Sequence, residues 1–120
     1  MTPEGKVKQK VRRLLDKYGV HSFMPVQSGL GARHVDIIGC VAGYYFCVEV
    51  KAEGKDATDA QKVTMRDVRR AGGVTFVISS VDDPRLAHLE YYLAWCSKRP
   101  AARPVMLKQY TTEPTEKLTA

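Results

Sequence analysis

Apolar residues recur at helical spacing at Val7, Val11, Leu14, Leu15 and Tyr18, the period of a helix that buries one face. Thr2-Pro3-Glu4 supplies the start: a Thr cap, Pro at the first position and an acid in the first turn. Gly19 supplies the stop. A short apolar run from Phe23 to Val26 predicts a strand, with Pro25 marking it as an edge or a bulge. His34–Val41 and Tyr44–Val50 predict two further strands joined at Ala42-Gly43. A second helix is expected from Thr58 to Ala71, stopped by Gly72-Gly73, and a buried strand from Val74 to Ser79. Asp82 or Asp83 caps a third helix with Pro84 at its start and Leu86, Leu89, Leu93 and Cys96 on its apolar side. Val105-Met106-Leu107 suggests a short last strand, and the polar stretch 111–120, with Pro114, reads as a flexible tail. The expected order is α-β-β-β-α-β-α.

The chain has 120 residues, which predicts one domain over residues 1–110. No apolar run is long enough to span a membrane, and the first residues lack a signal-peptide core. Three cysteines, Cys40, Cys47 and Cys96, cannot all pair within the chain and show no zinc-binding spacing, so a reducing cytoplasm is the expected location. Charge adds a functional direction. Nineteen Lys and Arg face thirteen Asp and Glu, for a net charge of +6. The excess gathers in residues 6–17 and 98–108. Clustered positive charge attracts polyanions, of which nucleic acid is the commonest in a cytoplasm; a solvated basic helix face is the plainer alternative.

The chemistry rests on two acids in apolar strands, Asp36 and Glu49. If Ala42-Gly43 is a two-residue turn, Ile37 lies opposite Val48, Val35 opposite Val50 and Gly39 opposite Phe46. One face is then wholly apolar, as a correct register requires. On the other face Asp36 lies opposite Glu49, and His34 opposite Lys51. A four-residue loop keeps that pairing. Carboxylates facing each other across a strand pair have Cβ atoms about 5 Å apart and repel. A cation between them removes the conflict, and carboxylate oxygens favour Mg²⁺ or Mn²⁺. Lys51 projects from the same face as Glu49. A surface ion-pair ladder is the competing account, but Ile38, Cys40, Tyr45 and Cys47 share that face.

Glu4 lies on the apolar side of the first helix and would point at the sheet or its rim, although helix-dipole stabilisation also explains it. Gln61 completes a capping box with Thr58, with a functional role as the alternative. Lys6, Lys10 and Arg13 on the outer helix face, with Arg33 and His34 beside the strand, are candidate phosphate contacts. Ser28 belongs to a Gly-bearing loop that would let the backbone approach a duplex, or is a plain flexible loop. Tyr91, Tyr92 and Trp95 in the third helix are expected at a dimer contact, with base stacking as the alternative.

Asp36, then Glu49-Val50-Lys51 after a hairpin, following a helical acid, resembles the PD-(D/E)XK nuclease superfamily. The stretch Gly31-Ala32-Arg33-His34-Val35-Asp36-Ile37-Ile38-Gly39, then Phe46-Cys47-Val48-Glu49-Val50-Lys51-Ala52, Thr58-Asp59-Ala60-Gln61 and Ala71-Gly72-Gly73 is similar to the VRR-NUC (virus-type replication-repair nuclease) domain. The resemblance covers roughly residues 1–83. Val35 stands where the superfamily's name places Pro.

The resemblance implies an α/β fold, a restriction-endonuclease-like core with a central mixed sheet flanked by helices. It implies a Mg²⁺- or Mn²⁺-dependent DNA endonuclease of small stand-alone phage or bacterial type, similar to Holliday junction resolvases, acting on branched or duplex DNA as a homodimer. It carries over Asp36 and Glu49 as metal-binding acids, the Val50 carbonyl as a further ligand, Lys51 as the motif lysine, Glu4 as the first-helix acid and Gln61 as the second-helix glutamine. A non-catalytic DNA-binding relative, a flap or nicking nuclease, and an RNA-directed nuclease of the same fold stay open as alternatives.

Overall fold

A computed structural model of the chain describes residues 1–25 and 35–99. It is an α/β fold in which a four-stranded mixed sheet lies between helices. The elements, in chain order, are α1 (Pro3–Lys17), β1 (His21–Phe23), β2 (Ile37–Val41), β3 (Tyr44–Val50), α2 (Asp59–Arg70), β4 (Val74–Ile78) and α3 (Arg85–Ser97). The strands lie side by side as β1-β2-β3-β4; the first two pairings are antiparallel and β3 runs parallel to β4. A parallel pair needs a crossover, and α2 provides it.

The local signals act as the chemistry dictates. The Thr2 side chain accepts the Gly5 amide hydrogen at 3.0 Å, with Pro3 beginning α1. Val7, Val11 and Leu15 are buried, and together with Leu89, Leu93 and Cys96 of α3 they cover one sheet face through Ile37, Val41, Phe46, Val48, Val50 and Ile78. The other face is covered by α2, where Met65 and Ala57 meet Cys47 and Val35. Asp83 rather than Asp82 serves the start of α3: its carboxylate accepts from the Arg85 amide at 2.9 Å and the Ser79 amide at 2.9 Å. Among the described residues no helix is long and apolar enough to cross a membrane.

The hairpin joining β2 and β3 has the two-residue turn. Ile37 pairs with Val48, Gly39 with Phe46 and Val41 with Tyr44. Both turn residues have positive φ, Ala42 at 51° and Gly43 at 88°, as this turn demands. An L-residue with a Cβ is disfavoured there by roughly 1–2 kcal/mol, so Ala42 is a local strain that the pairing overrides. Gly39 has the opposite logic: a Cβ there would sit 2.5 Å from the Phe46 ring, which packs over the bare backbone.

Three expectations shift. β1 runs His21–Phe23 instead of Phe23–Val26, because pairing with Ile38–Cys40 sets it and Pro25, with no N–H to donate, follows its end. β2 begins at Ile37 instead of His34, because the chain bends at Asp36. Val35 therefore does not share the apolar face of Ile37 opposite Val50; it packs in the cluster under α2. The strand proposed at Val105–Leu107 and the tail at 111–120 lie outside the described residues.

Ala42→Asn should raise unfolding stability by up to about 1 kcal/mol, since Asn tolerates positive φ. Gly39→Ala should lower it by about 1–3 kcal/mol through overpacking against Phe46. Urea melts of the two variants check both signs.

Candidate functional site

β3 is an interior strand, between β2 and β4, and Phe46 through Val50 are buried along it. Side chains alternate across a strand, so Cys47 and Glu49 point to the face under α2 while Phe46, Val48 and Val50 point to the other. Glu49 is 2% exposed. An acid so placed has nowhere to go but into the interior at the carboxyl end of the sheet.

Asp36 reaches the same place by a different route from ladder pairing. The ladder ends at Ile37 and Val48, and the bend at Asp36 lets its side chain take over the backbone's task. Asp36 Oδ2 accepts the Val50 amide hydrogen at 2.8 Å. In a strand, N–H and C=O of one residue leave by the same edge, so the Val50 carbonyl faces the Asp36 side as well. The Lys51 amide goes the other way, donating to the Ile78 carbonyl at 2.9 Å.

Cations flank the two acids. Lys51 Nζ lies 3.9 Å from Glu49 Oε1, and Lys8 Nζ lies 3.5 Å from Asp36 Oδ1. Lys8 comes from α1, one turn after Glu4 on the same side, and Glu4 is close enough for its charge to act on Glu49. Glu49 Oε2 is buried without a hydrogen-bond partner. Burial, then the hydrogen bond and charge of Asp36, push the Glu49 carboxyl well above the ordinary carboxylate range, with Lys51 opposing and Glu4 adding to the rise. Burial also works against an ionised Asp36, but the hydrogen bonds from Glu49 and the Val50 amide, together with Lys8, outweigh it and hold Asp36 below its usual value. Without a cation, then, the pair is one carboxylic acid and one carboxylate, Glu49 keeping the proton. The neighbouring Cys47 thiol is pushed up to about 11 by burial and then by Glu49, so it is a neutral filler and no nucleophile.

The chemistry of these donors suits a hard divalent cation: two carboxylates, a backbone carbonyl on the same edge, and Glu4 nearby. Among the described residues, no group of three or more His, Cys, Asp or Glu side chains is gathered as a ready-made metal site. The fit therefore rests on the orphaned Oε2 of Glu49 and on the Asp36 pair.

Gln61 is buried, and the structure gives it to the capping box: its Oε1 accepts from the Thr58 amide at 2.9 Å, and its own amide donates to Thr58 Oγ1 at 3.2 Å. Of the predicted phosphate contacts, Lys10 donates to the Val81 carbonyl at 2.6 Å and, with Arg13, borders a cleft between α1 and α3 that also holds Asp82, Asp83 and Glu90. Lys6 borders a hollow with Glu53 and Ser79. Arg13 also borders a second hollow with Lys8, Arg12 and Asp16, which Lys6 and Lys10 do not line. Ser28, Arg33 and His34 lie outside the described residues. Lys8 is the site residue that the sequence reading passed over; its spacing of four from Glu4 was the available signal. Compared with known proteins, the chain matches no family model, no curated protein and no solved structure.

A carboxyl whose folded-state pKa is raised binds more protons folded than unfolded. Its contribution is full below the unfolded value near 4.5 and is lost as pH rises toward the folded value. In EDTA, wild-type stability should therefore decline with pH above that point relative to Glu49→Gln, by at most about 1.4 kcal/mol per pH unit. Thermal melts of both proteins across neutral pH read the difference; parallel curves would contradict it.

Proposed function

We propose that the chain is a Mg²⁺- or Mn²⁺-dependent DNA endonuclease of the VRR-NUC type within the PD-(D/E)XK superfamily, selective for branched DNA. The observation that carries this reading is the buried, unpartnered Oε2 of Glu49 set against Asp36, with Lys51 alongside. A proton on Glu49 would satisfy part of that arrangement, and the charge of a divalent cation held by these residues would offset both carboxylates. The finer fold identity, a restriction-endonuclease-like core, belongs to the same proposal. The mixed sheet flanked by helices is compatible with it.

Asp36, Glu49, the Val50 carbonyl and Glu4 would hold the ion. When bound, it supplies charge neutralisation at the scissile phosphate and a hydroxide near neutral pH. The chain's own groups do the rest. The Val50 amide fixes Asp36 in position, and Lys8 shields its outer oxygen. Lys51, held by Glu49, would orient the attacking water and stabilise the charge that builds on the phosphoryl oxygens as the 3′-oxygen leaves. Gln61, through its capping box, would set the start of α2 against the site. A homodimer would present two such sites by two-fold symmetry, as paired cuts in a junction require. Its three free cysteines suit a reducing cytoplasm.

Incubation with a four-way junction, a flap, a single strand and a linear duplex tests the reading. Cleavage should appear with Mg²⁺ or Mn²⁺, favour the branched substrates and vanish in EDTA. Asp36→Ala, Glu49→Ala and Lys51→Ala should each lower the rate by about 100-fold or more while part of the DNA binding survives. Full activity in EDTA would overturn the proposal, and binding without cleavage under every condition would leave a DNA-binding relative of the fold.

A further inference from the structure

The carboxyl-terminal turn of α3 exposes aromatic surface beside two cations that have no carboxylate partner among the described residues. Tyr91 is 74% exposed and Trp95 38%. The Arg99 guanidinium lies 3.7 Å from the centre of the Trp95 ring, and Lys98 follows the same turn. A hollow of about 180 Å³ is lined by Tyr91, Ala94, Trp95, Lys98 and Arg99, with no acid among them. Among the described residues neither Lys98 nor Arg99 has a carboxylate partner. Tyr92, by contrast, turns inward, its ring against Phe46 and Phe76, and takes no part.

The sheet holds this surface still. Trp95 meets Tyr44 edge-on, with ring centres 5.6 Å apart, so its indole is anchored at the start of β3. Glu49 sits five residues further along β3, about 17 Å away by strand rise. The patch is thus separate from the carboxylate pair.

From this geometry we infer that Tyr91, Trp95, Lys98 and Arg99 form a site for unpaired bases of a single-stranded nucleic acid. An exposed aromatic beside a fixed one, with a guanidinium over the ring, offers a stacking surface that accepts any base. Lys98 and Arg99, which have no carboxylate partner among the described residues, supply phosphate contacts at the rim of that stack. A second copy of the chain is the poorer occupant. An isologous contact here would bring Lys98 and Arg99 of both copies together, like charge against like. A paired duplex is poorer too, because its base faces are already stacked on one another.

Trp95 is the chain's one tryptophan, so it reports on the site directly. The test titrates the full chain with a short oligothymidine in EDTA, which removes any cleavage and keeps the outcome independent of the nuclease reading. Saturable quenching of Trp95 emission is expected, weak or absent with a blunt duplex. Tyr91→Ala should weaken binding by roughly tenfold or more. Arg99→Ala should weaken it and flatten its salt dependence by about one phosphate contact. Tyr91 and Arg99 are exposed, so both variants should keep the wild-type circular dichroism. Absent quenching, quenching that duplex matches, or affinity that neither substitution changes would overturn the inference. So would a doubling of mass in light scattering that Tyr91→Ala abolishes, which would assign the patch to self-association.

Discussion

A single carboxyl, Glu49, is placed where water does not reach, and the carboxyl end of the sheet is arranged around that fact. Removing an ionised carboxylate from water costs several kcal/mol even after relaxation. Asp36 and Glu49 face the ammonium groups of Lys8 and Lys51, and the charge of Glu4 adds to the repulsion on Glu49. Lys51 Nζ is 3.9 Å from Glu49 Oε1, and the buried Oε2 has no hydrogen-bond partner. A proton or a cation would offset that carboxylate. An apolar side chain at position 49 would instead extend the cluster of Cys47, Ala57 and Met65.

The same constraint explains why the site is spread over the chain. Glu4 and Lys8 come from the first two turns of α1, Asp36 from the bend before β2, and Glu49 to Lys51 from the end of β3. β3 is the strand at which the sheet changes from antiparallel to parallel pairing. Beyond its carboxyl end the chain leaves for α2, and among the described residues no strand continues past it. In open α/β sheets that position is where ligands bind. The Asp36 to Val50 hydrogen bond gives the Val50 amide an acceptor where the ladder ends, and so ties the candidate site to the fold.

Much of this was legible in the sequence, for identifiable reasons. The hairpin register followed from side-chain alternation plus the length of one turn, and both are local. α1 and α2 followed from apolar period and capping residues. The pairing of Asp36 with Glu49 was legible as proximity but not as mechanism. A ladder partner and a side chain that replaces a ladder partner have the same sequence spacing, and only the bend tells them apart. β1 was misplaced because its two faces are exposed and its position is set by β2, so its own hydrophobicity carries no signal. Lys8 was overlooked because its role depends on how α1 rolls onto the sheet. That roll is a tertiary outcome of Val7, Val11 and Leu15 packing against β3 and α3.

Charge shows most clearly how composition and structure diverge. The basic run in α1 reads as a free positive surface when counted along the chain. In the fold, Lys8 faces Asp36, Lys10 donates to Val81, and Lys17 pairs with Glu90 at 2.8 Å beside the Tyr18 hydroxyl. These contacts lock α1 to the bend before β2, to the loop after β4 and to α3. Among the described residues, Lys98 and Arg99 at the end of α3 line a hollow that has no acid in its wall. An electrostatic footprint for a polyanion is therefore set by the cations that tertiary contacts leave over, and at the end of α3 two of these stand beside exposed aromatic surface.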